Sequence, residues 1–219
     1  MYNLSFNNNL VWKDKYNQLF NLKKLFKNKI LIKYITVVFS VVILSNIKAN
    51  NNPRFIVNQG QFNKGVKFKL EHRAGNIYFE NNNVKFDLFQ KDKINALKHG
   101  DISVGNILGH VYESNFIGYN KEVKILGHKK TNNFCNYFIG KDTSKWKSNI
   151  PVYNELVYEN LYTGIDLYYF ESGGKLKYDF IVHPKADPEN IKVQYKGLDS
   201  IYLKSGHLIL KTSIGNVIE

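Results

Sequence analysis

The sequence predicts an all-β protein, an antiparallel β-sandwich, and three observations carry that expectation. Only four Ala stand against 21 Ile, 15 Tyr and 15 Phe in 219 residues, a balance that suits pleated sheet far better than helix. From Asn50 onward, short runs alternate apolar and polar residues and are punctuated by Gly, Asn, Asp and Pro, the rhythm of strands joined by tight turns. No segment of ten or more residues after position 49 has helical period. At 43% hydrophobic and 22% charged the chain can bury a core, and its one Cys excludes a disulfide framework.

Residues 1–49 read as a leader. Eight Lys stand there against one acidic residue, and the Lys-rich stretch ending at Lys33 precedes an apolar run, Tyr34 to Leu44, of 11 residues. That is short of the ~20 needed to span a bilayer and suits the apolar region of a secretory signal helix, with Ile47 and Ala49 placed for cleavage before Asn50. An uncleaved anchor would have to reach back through Ile30, Leu31 and Ile32 and admit Lys33. Lipid attachment fails because the sole thiol, Cys135, is far from the cleavage point. The expected location is secreted or cell-surface, with membrane contact only during export and a β-sandwich domain over 50–219. The net charge of +13 does not point to nucleic acid: only Arg54 and Arg73 are Arg, and the excess of Asn (29 residues), Lys and Ile is the coding bias of an AT-rich genome.

The elements follow in order. Val66 to Arg73 alternates cleanly, and Asn76 to Glu80 with Val84 to Leu88 forms a hairpin around Asn81-Asn82-Asn83, where Asn tolerates left-handed backbone. Lys91 to Gly109 is richer in Lys, Gly and Asp and reads as a loop holding one short strand, Ile102 to Val104. Strands resume at His110 to Phe116, Glu122 to Leu126 and Asn133 to Ile139. Gly140 to Trp146 has the chemistry of a loop or single helical turn, with Trp146 plugging an edge of the core. Further strands are expected at Val152 to Tyr158, Ile165 to Phe170, Lys175 to His183, Ile191 to Tyr195, Ile201 to Lys204 and Leu208 to Thr212, and a two-part sandwich would divide near Ser144 to Pro151.

Site chemistry is sparse. A Gly-rich phosphate loop, a His-Glu-x-x-His helix and a Gly-x-Ser-x-Gly elbow are all missing, and Gly140-Lys141 lacks the rest of a phosphate loop. In the hairpin around Gly173, placing Ile165, Leu167 and Tyr169 with Leu176, Tyr178, Phe180 and Val182 on the core face puts Asp166, Tyr168, Lys175, Lys177 and Asp179 on the other. A Ser172-Gly173 loop sets Asp166 directly across from Asp179; a Gly173-Gly174 loop makes them diagonal neighbours. As a catalytic pair they would be the acid and base of a glycosidase; the simpler reading is a sheet face neutralised by Lys175 and Lys177. The six His, at 72, 99, 110, 128, 183 and 207, show no ligand spacing, so no metal or other cofactor is expected. His183 is expected to hydrogen-bond Asp187, which also suits the cap of a turn beginning at Pro188. Cys135 reads as a small buried apolar residue, and the abundant Tyr and Phe as core before they read as a sugar-binding surface.

Several strings, in this order and spacing, resemble one family: Phe55-Ile-Val-Asn-Gln-Gly-Gln61, Asn115-Phe-Ile-Gly118, Asn136-Tyr-Phe-Ile-Gly-Lys-Asp142 with Trp146, Tyr158 to Leu167, and Leu176 to Pro184. The ending does too, from Ala186-Asp-Pro188 through Tyr195-Lys-Gly197 to Gly206-His-Leu208 and Gly215. They resemble the uncharacterised N-terminal domain of large Bacteroidota cell-surface proteins that precedes SBBP-type β-propeller repeats, in proteins of the type IX secretion and gliding-motility classes. The resemblance implies location and architecture, and it carries no catalytic residues. It marks Asn58, Gly60, Asn136, Gly140, Trp146, Gly164, Asp166, Tyr178, Asp179, Pro184, Asp187, Pro188 and Gly197 as framework positions. Two departures stand out: Lys185 replaces the family's usual Gly, and the chain stops at Glu219, which reads as a truncated or split member. The expected function is a non-catalytic structural or interaction module of a surface protein, capping or presenting downstream repeats and serving adhesion. Its partners would be the downstream domains and an extracellular polysaccharide or protein. The alternative is a secreted carbohydrate-binding or glycan-hydrolysing module using Asp166 and Asp179.

Overall fold

The computed structural model describes residues 18–21, 54–72, 75–99, 103, 105–172 and 175–219. The leader reading of residues 1–49 lies outside these, apart from one strand, β1 (Gln18–Asn21), paired with β11 (Lys192–Lys196). The fold is all-β and antiparallel. A large curled sheet takes β1, β11, β6 (Gly109–Phe116), β5 (Asn83–Phe89), β4 (Gly75–Phe79), β3 (Phe68–His72), β2 (Phe55–Val57), β8 (Lys147–Tyr162), β9 (Ile165–Ser172) and β10 (Lys175–Val182) in that order, with β7 (Lys124–Tyr137) on β8. A second, three-stranded sheet orders β12 (Ser200–Lys204), β13 (His207–Thr212) and β14 (Gly215–Ile218).

The register around β8 explains the curl. Tyr153 pairs with both Lys130 of β7 and Phe55 of β2, and Leu156 pairs with both Gly127 of β7 and Tyr169 of β9. One edge of β8 is therefore taken by β7 throughout, and the other is shared end to end by β2 and then β9. Two leaves grow from that shared edge, β2 through β6 and β11 in one and β9 with β10 in the other, and the alternating apolar residues of each point inward. Between them lies a core rich in rings. Phe79 of β4 meets Tyr169 of β9 edge-on at 5.1 Å, Phe116 meets Tyr158 at 5.6 Å, and Phe86 stacks on Tyr112 at 4.5 Å. The buried hydroxyls find backbone acceptors where they can: Tyr158 donates to Glu80 O at 3.0 Å and Tyr162 to Lys192 O at 2.8 Å. Leu210 and Val217 seat the small sheet on the same core.

Most expected strands are present within a few residues of their predicted ends, with the following differences. The predicted loop after Phe89 begins with an eight-residue helix, α1 (Lys91–Lys98); its neck is closed by Gln90, whose N–H donates to Leu108 O and whose side chain accepts from Leu108 N. The strand expected at Ile102 to Val104 falls mostly outside the described residues, and Ser103 lies in a turn. Glu122 to Leu126 and Asn133 to Ile139 are one strand, β7, because backbone pairing with β8 continues across the polar stretch between them despite a shift of register and a positive φ of 51° at Lys129. β8 likewise runs unbroken through Ser148 to Pro151, where a two-part sandwich would have divided. β1, β2 and β14 were not anticipated.

Cys135 is half-buried. It joins a small second cluster with Ile56, Ile150 and Val152, and its Sγ lies 3.1 Å from the Arg54 guanidinium. At the turn after β10, Lys185 holds φ 74°, the left-handed conformation that Gly adopts without strain. Lys185→Gly is expected to raise stability by about 1 kcal/mol, read as a higher urea midpoint at constant slope; a lowered midpoint would show that the lysine side chain contributes contacts that outweigh its backbone strain.

Candidate functional site

Ser172 pairs with Lys175, which sets Asp166 opposite Ile181 and Asp179 opposite Tyr168. The two carboxylates are thus diagonal, the arrangement that goes with a Gly173-Gly174 loop, and the directly opposed pair does not form. The diagonal register relieves a like-charge contact. Asp166 is 21% exposed, and both of its oxygens are engaged: Oδ1 accepts from Asn160 N at 2.6 Å, and Oδ2 lies 2.8 Å from His183 Nε2. Asn160, at φ 54°, accepts from Gly164 N at 2.8 Å, and His183 N donates to Gly164 O at 2.9 Å. Gly164 itself has φ 71°, and a Cβ there would come within 2.9 Å of the Ala186 Cβ. Two of the family strings therefore meet in one knot at the β8–β9 corner. His183 pairs with Asp166 and not with Asp187, correcting the sequence expectation, because strand pairing carries the end of β10 across to the start of β9. Asp187 keeps its predicted role: Oδ1 accepts from Glu189 N at 2.9 Å and caps a turn over Pro188–Asn190.

The other framework residues behave in the same way. The Asn58 amide organises the whole loop after β2, donating to Asn63 O at 3.0 Å and Val66 O at 2.7 Å while accepting from Gly60 N at 2.9 Å and Phe62 N at 3.1 Å. Asn136 accepts from Asn149 N across the β7–β8 hairpin at 2.9 Å. A Cβ at Gly197 would come within 2.7 Å of Val111 O. Trp146 does not plug the core. It is 40% exposed, donates to Gly140 O at 3.2 Å and packs edge-on against Phe138, because the hairpin end extends past the last residue that pairs with β2.

One constellation had no sequence motif. Glu219 Oε2 accepts from Tyr195 OH at 2.6 Å and Tyr178 OH at 3.4 Å, and Tyr112 and Tyr169 stand close by. Burial pushes the Glu219 carboxyl up from its ordinary 4.5 to about 7, with the two tyrosine hydrogen bonds opposing. Burial first, and the nearby Glu219 second, raise the hydroxyls of Tyr112, Tyr169, Tyr178 and Tyr195. The Tyr112 hydroxyl has no hydrogen-bond partner among the described residues. Strand parity alone could have placed these rings inward, but their convergence on one carboxylate follows from the curl. Elsewhere, a groove of about 450 Å³ lies between the start of α1 and the small sheet, lined by Leu88, Phe89, Asp92, Lys93, Ile214 and Val217. Among the described residues, no group of three or more His, Cys, Asp or Glu could hold a metal ion.

Two outcomes follow. Asp166→Ala is expected to cost about 1–3 kcal/mol by stranding Asn160 N and His183, with Asp166→Asn retaining more of the stability; equal stabilities of all three proteins in urea would contradict the knot. The folded state holds the Glu219 proton more tightly than the unfolded chain does. Its contribution to stability is therefore full below the ordinary value of 4.5 and lost as pH rises through about 7. Stability should fall by about 3 kcal/mol across that window, and Glu219→Gln should flatten the fall. A slope unchanged in the variant would contradict it.

No curated protein and no solved structure matches the chain. A family model described as a domain of unknown function, DUF7948, matches residues 55–219, the span that begins at β2 and includes both leaves, the corner knot and the small sheet. By that match the chain belongs to the DUF7948 family.

Proposed function

We propose that the chain is an exported, non-catalytic module of a bacterial cell-surface protein that caps or presents downstream repeats, with adhesion as the use of the assembled protein. The observation that carries this reading is where the polar framework residues direct their hydrogen bonds. Asn58, Asn136, Asp166 and Asp187 all bind backbone N–H groups of the module's own turns and strand ends, an arrangement that serves its shape. The resemblance to the domain that precedes SBBP-type repeats in Bacteroidota supports the setting, and the apolar run at Tyr34 to Leu44 followed by Ala49 supports export. A folded cap would shield the exposed edge of the first repeat of an array. Its partners would be those downstream domains and an extracellular polysaccharide or protein.

The second reading, a secreted carbohydrate-binding or glycan-hydrolysing module, draws on one observation. Tyr168 and Phe170 lie with ring centroids 5.4 Å apart on the face that also bears Asp166 and Asp179. Against its hydrolytic form, a catalytic acid needs an oxygen free to exchange a proton with substrate, and both oxygens of Asp166 are engaged.

A tagged chain produced in a Bacteroidota host is expected to be processed after Ala49 and to be degraded by protease added to intact cells. Full-length chain protected in the cytosol would contradict the proposal.

A further inference from the structure

The β7–β8 hairpin overhangs the sheet: β2 meets β8 only at Val152 and Tyr153, and beyond them Phe134 pairs with Pro151, Cys135 with Ile150 and Tyr137 with Lys147. Its inner side is covered, since Cys135 and Tyr137 pack with Ile56, Ile150 and Phe62. Elsewhere on the tip, exposed apolar side chains stand among exposed polar ones such as Asn133, Asn136 and Thr143. Phe134, Phe138 and Ile139 are 57%, 57% and 72% exposed, and Trp146 is held beside them by its bond to Gly140 O and its contact with Phe138. From Lys124 to Tyr162 the hairpin carries six Lys against three acidic residues, Asp142, Glu155 and Glu159, and the Asp142 carboxylate accepts from Ser144 N in its own turn. Lys130 and Lys141 are exposed, as is Lys129, which pairs with Glu155.

We propose that this tip docks on an anionic lipid bilayer, its apolar apex entering the boundary between headgroups and acyl chains while the lysines meet the headgroups. Charge complementarity selects an anionic surface. The shape of the apex selects lipid over an acidic glycan. A sugar needs an open ring face flanked by hydrogen-bonding side chains, whereas Phe138 and Trp146 meet at 60°, each blocking part of the other, and the most exposed residue, Ile139, has neither a ring nor a polar group. A fixed tryptophan among aliphatic and aromatic neighbours, beside the exposed Lys141, suits the bilayer interface. This goes beyond the presentation role: it gives the module a surface of its own to bind.

Residues 34–44 can bring the chain to a bilayer without the tip, so the test reads the indole and not co-sedimentation. In the full chain carrying Trp12→Phe, Trp146 is the sole tryptophan. Vesicles of equimolar phosphatidylcholine and phosphatidylglycerol are expected to shift its emission to the blue, and brominated acyl chains to quench it; phosphatidylcholine alone does neither. Ile139→Asp should abolish the shift without changing the melting curve, because Ile139 is exposed, and Lys141→Glu should weaken it. Bound vesicles with unmoved Trp146 emission would overturn the proposal, as would quenching that survives Ile139→Asp. A shift produced by a polyuronate but not by vesicles would reassign the tip to an acidic glycan.

Discussion

The architecture depends on one strand having two successive neighbours on the same edge. β8 keeps β7 along one side and gives its other side first to β2 and then to β9, so the sheet must fork there. The fork then has to be filled. Eleven buried Phe and Tyr side chains occupy the space between the leaves, and edge-on contacts such as Phe79 with Tyr169 add about 0.5–1.5 kcal/mol each beyond the burial of the rings. Without that filling, the β9–β10 leaf would be a two-stranded ribbon of the kind that is at best marginally stable in water. The aromatic enrichment visible in the composition is thus a consequence of the topology.

The fork also accounts for the positions of the polar framework residues. A strand that changes partners needs its corners fixed, and the Asn160, Gly164, Asp166 and His183 knot sits where β8 hands over to β9 and β10. Tyr162 reaches from the same corner to Lys192 O at the start of β11, tying the second leaf to the far end of the first. Glu219 performs the corresponding task inside, linking Tyr178 of β10 with Tyr195 of β11 from a chain segment that is paired to Leu208 of the small sheet. These groups bond to the module's own backbone and to one another.

Much of this was legible beforehand because strand alternation reports burial directly. Ile165, Leu167 and Tyr169 with Leu176 and Phe180 face the core as their period demands, and Asp187 and the Ser205-Gly206 return carry local turn signals. The errors arose where local pattern is silent. α1 is only eight residues long, too short for a helical period to register, and is fixed by Gln90 bonding across to Leu108. The middle of β7 is polar: its backbone pairs with β8 through Lys130 and again from Phe134, and Lys129 pairs with Glu155. The Asp166–Asp179 register turned on a shift of one residue in where the two-residue loop sits. The convergence on Glu219 joins positions more than a hundred residues apart, and no window along the chain contains it.

Native-state hydrogen exchange tests the fork most directly. If the leaves share one core, the amides of Leu167 and Phe180 should exchange only through the same global opening, with the same free energy and denaturant slope, as those of Ile77 and Phe86. Exchange of the β9–β10 amides through a separate opening of lower free energy, with β3 to β5 still protected, would show that the second leaf does not depend on the first and would contradict the account.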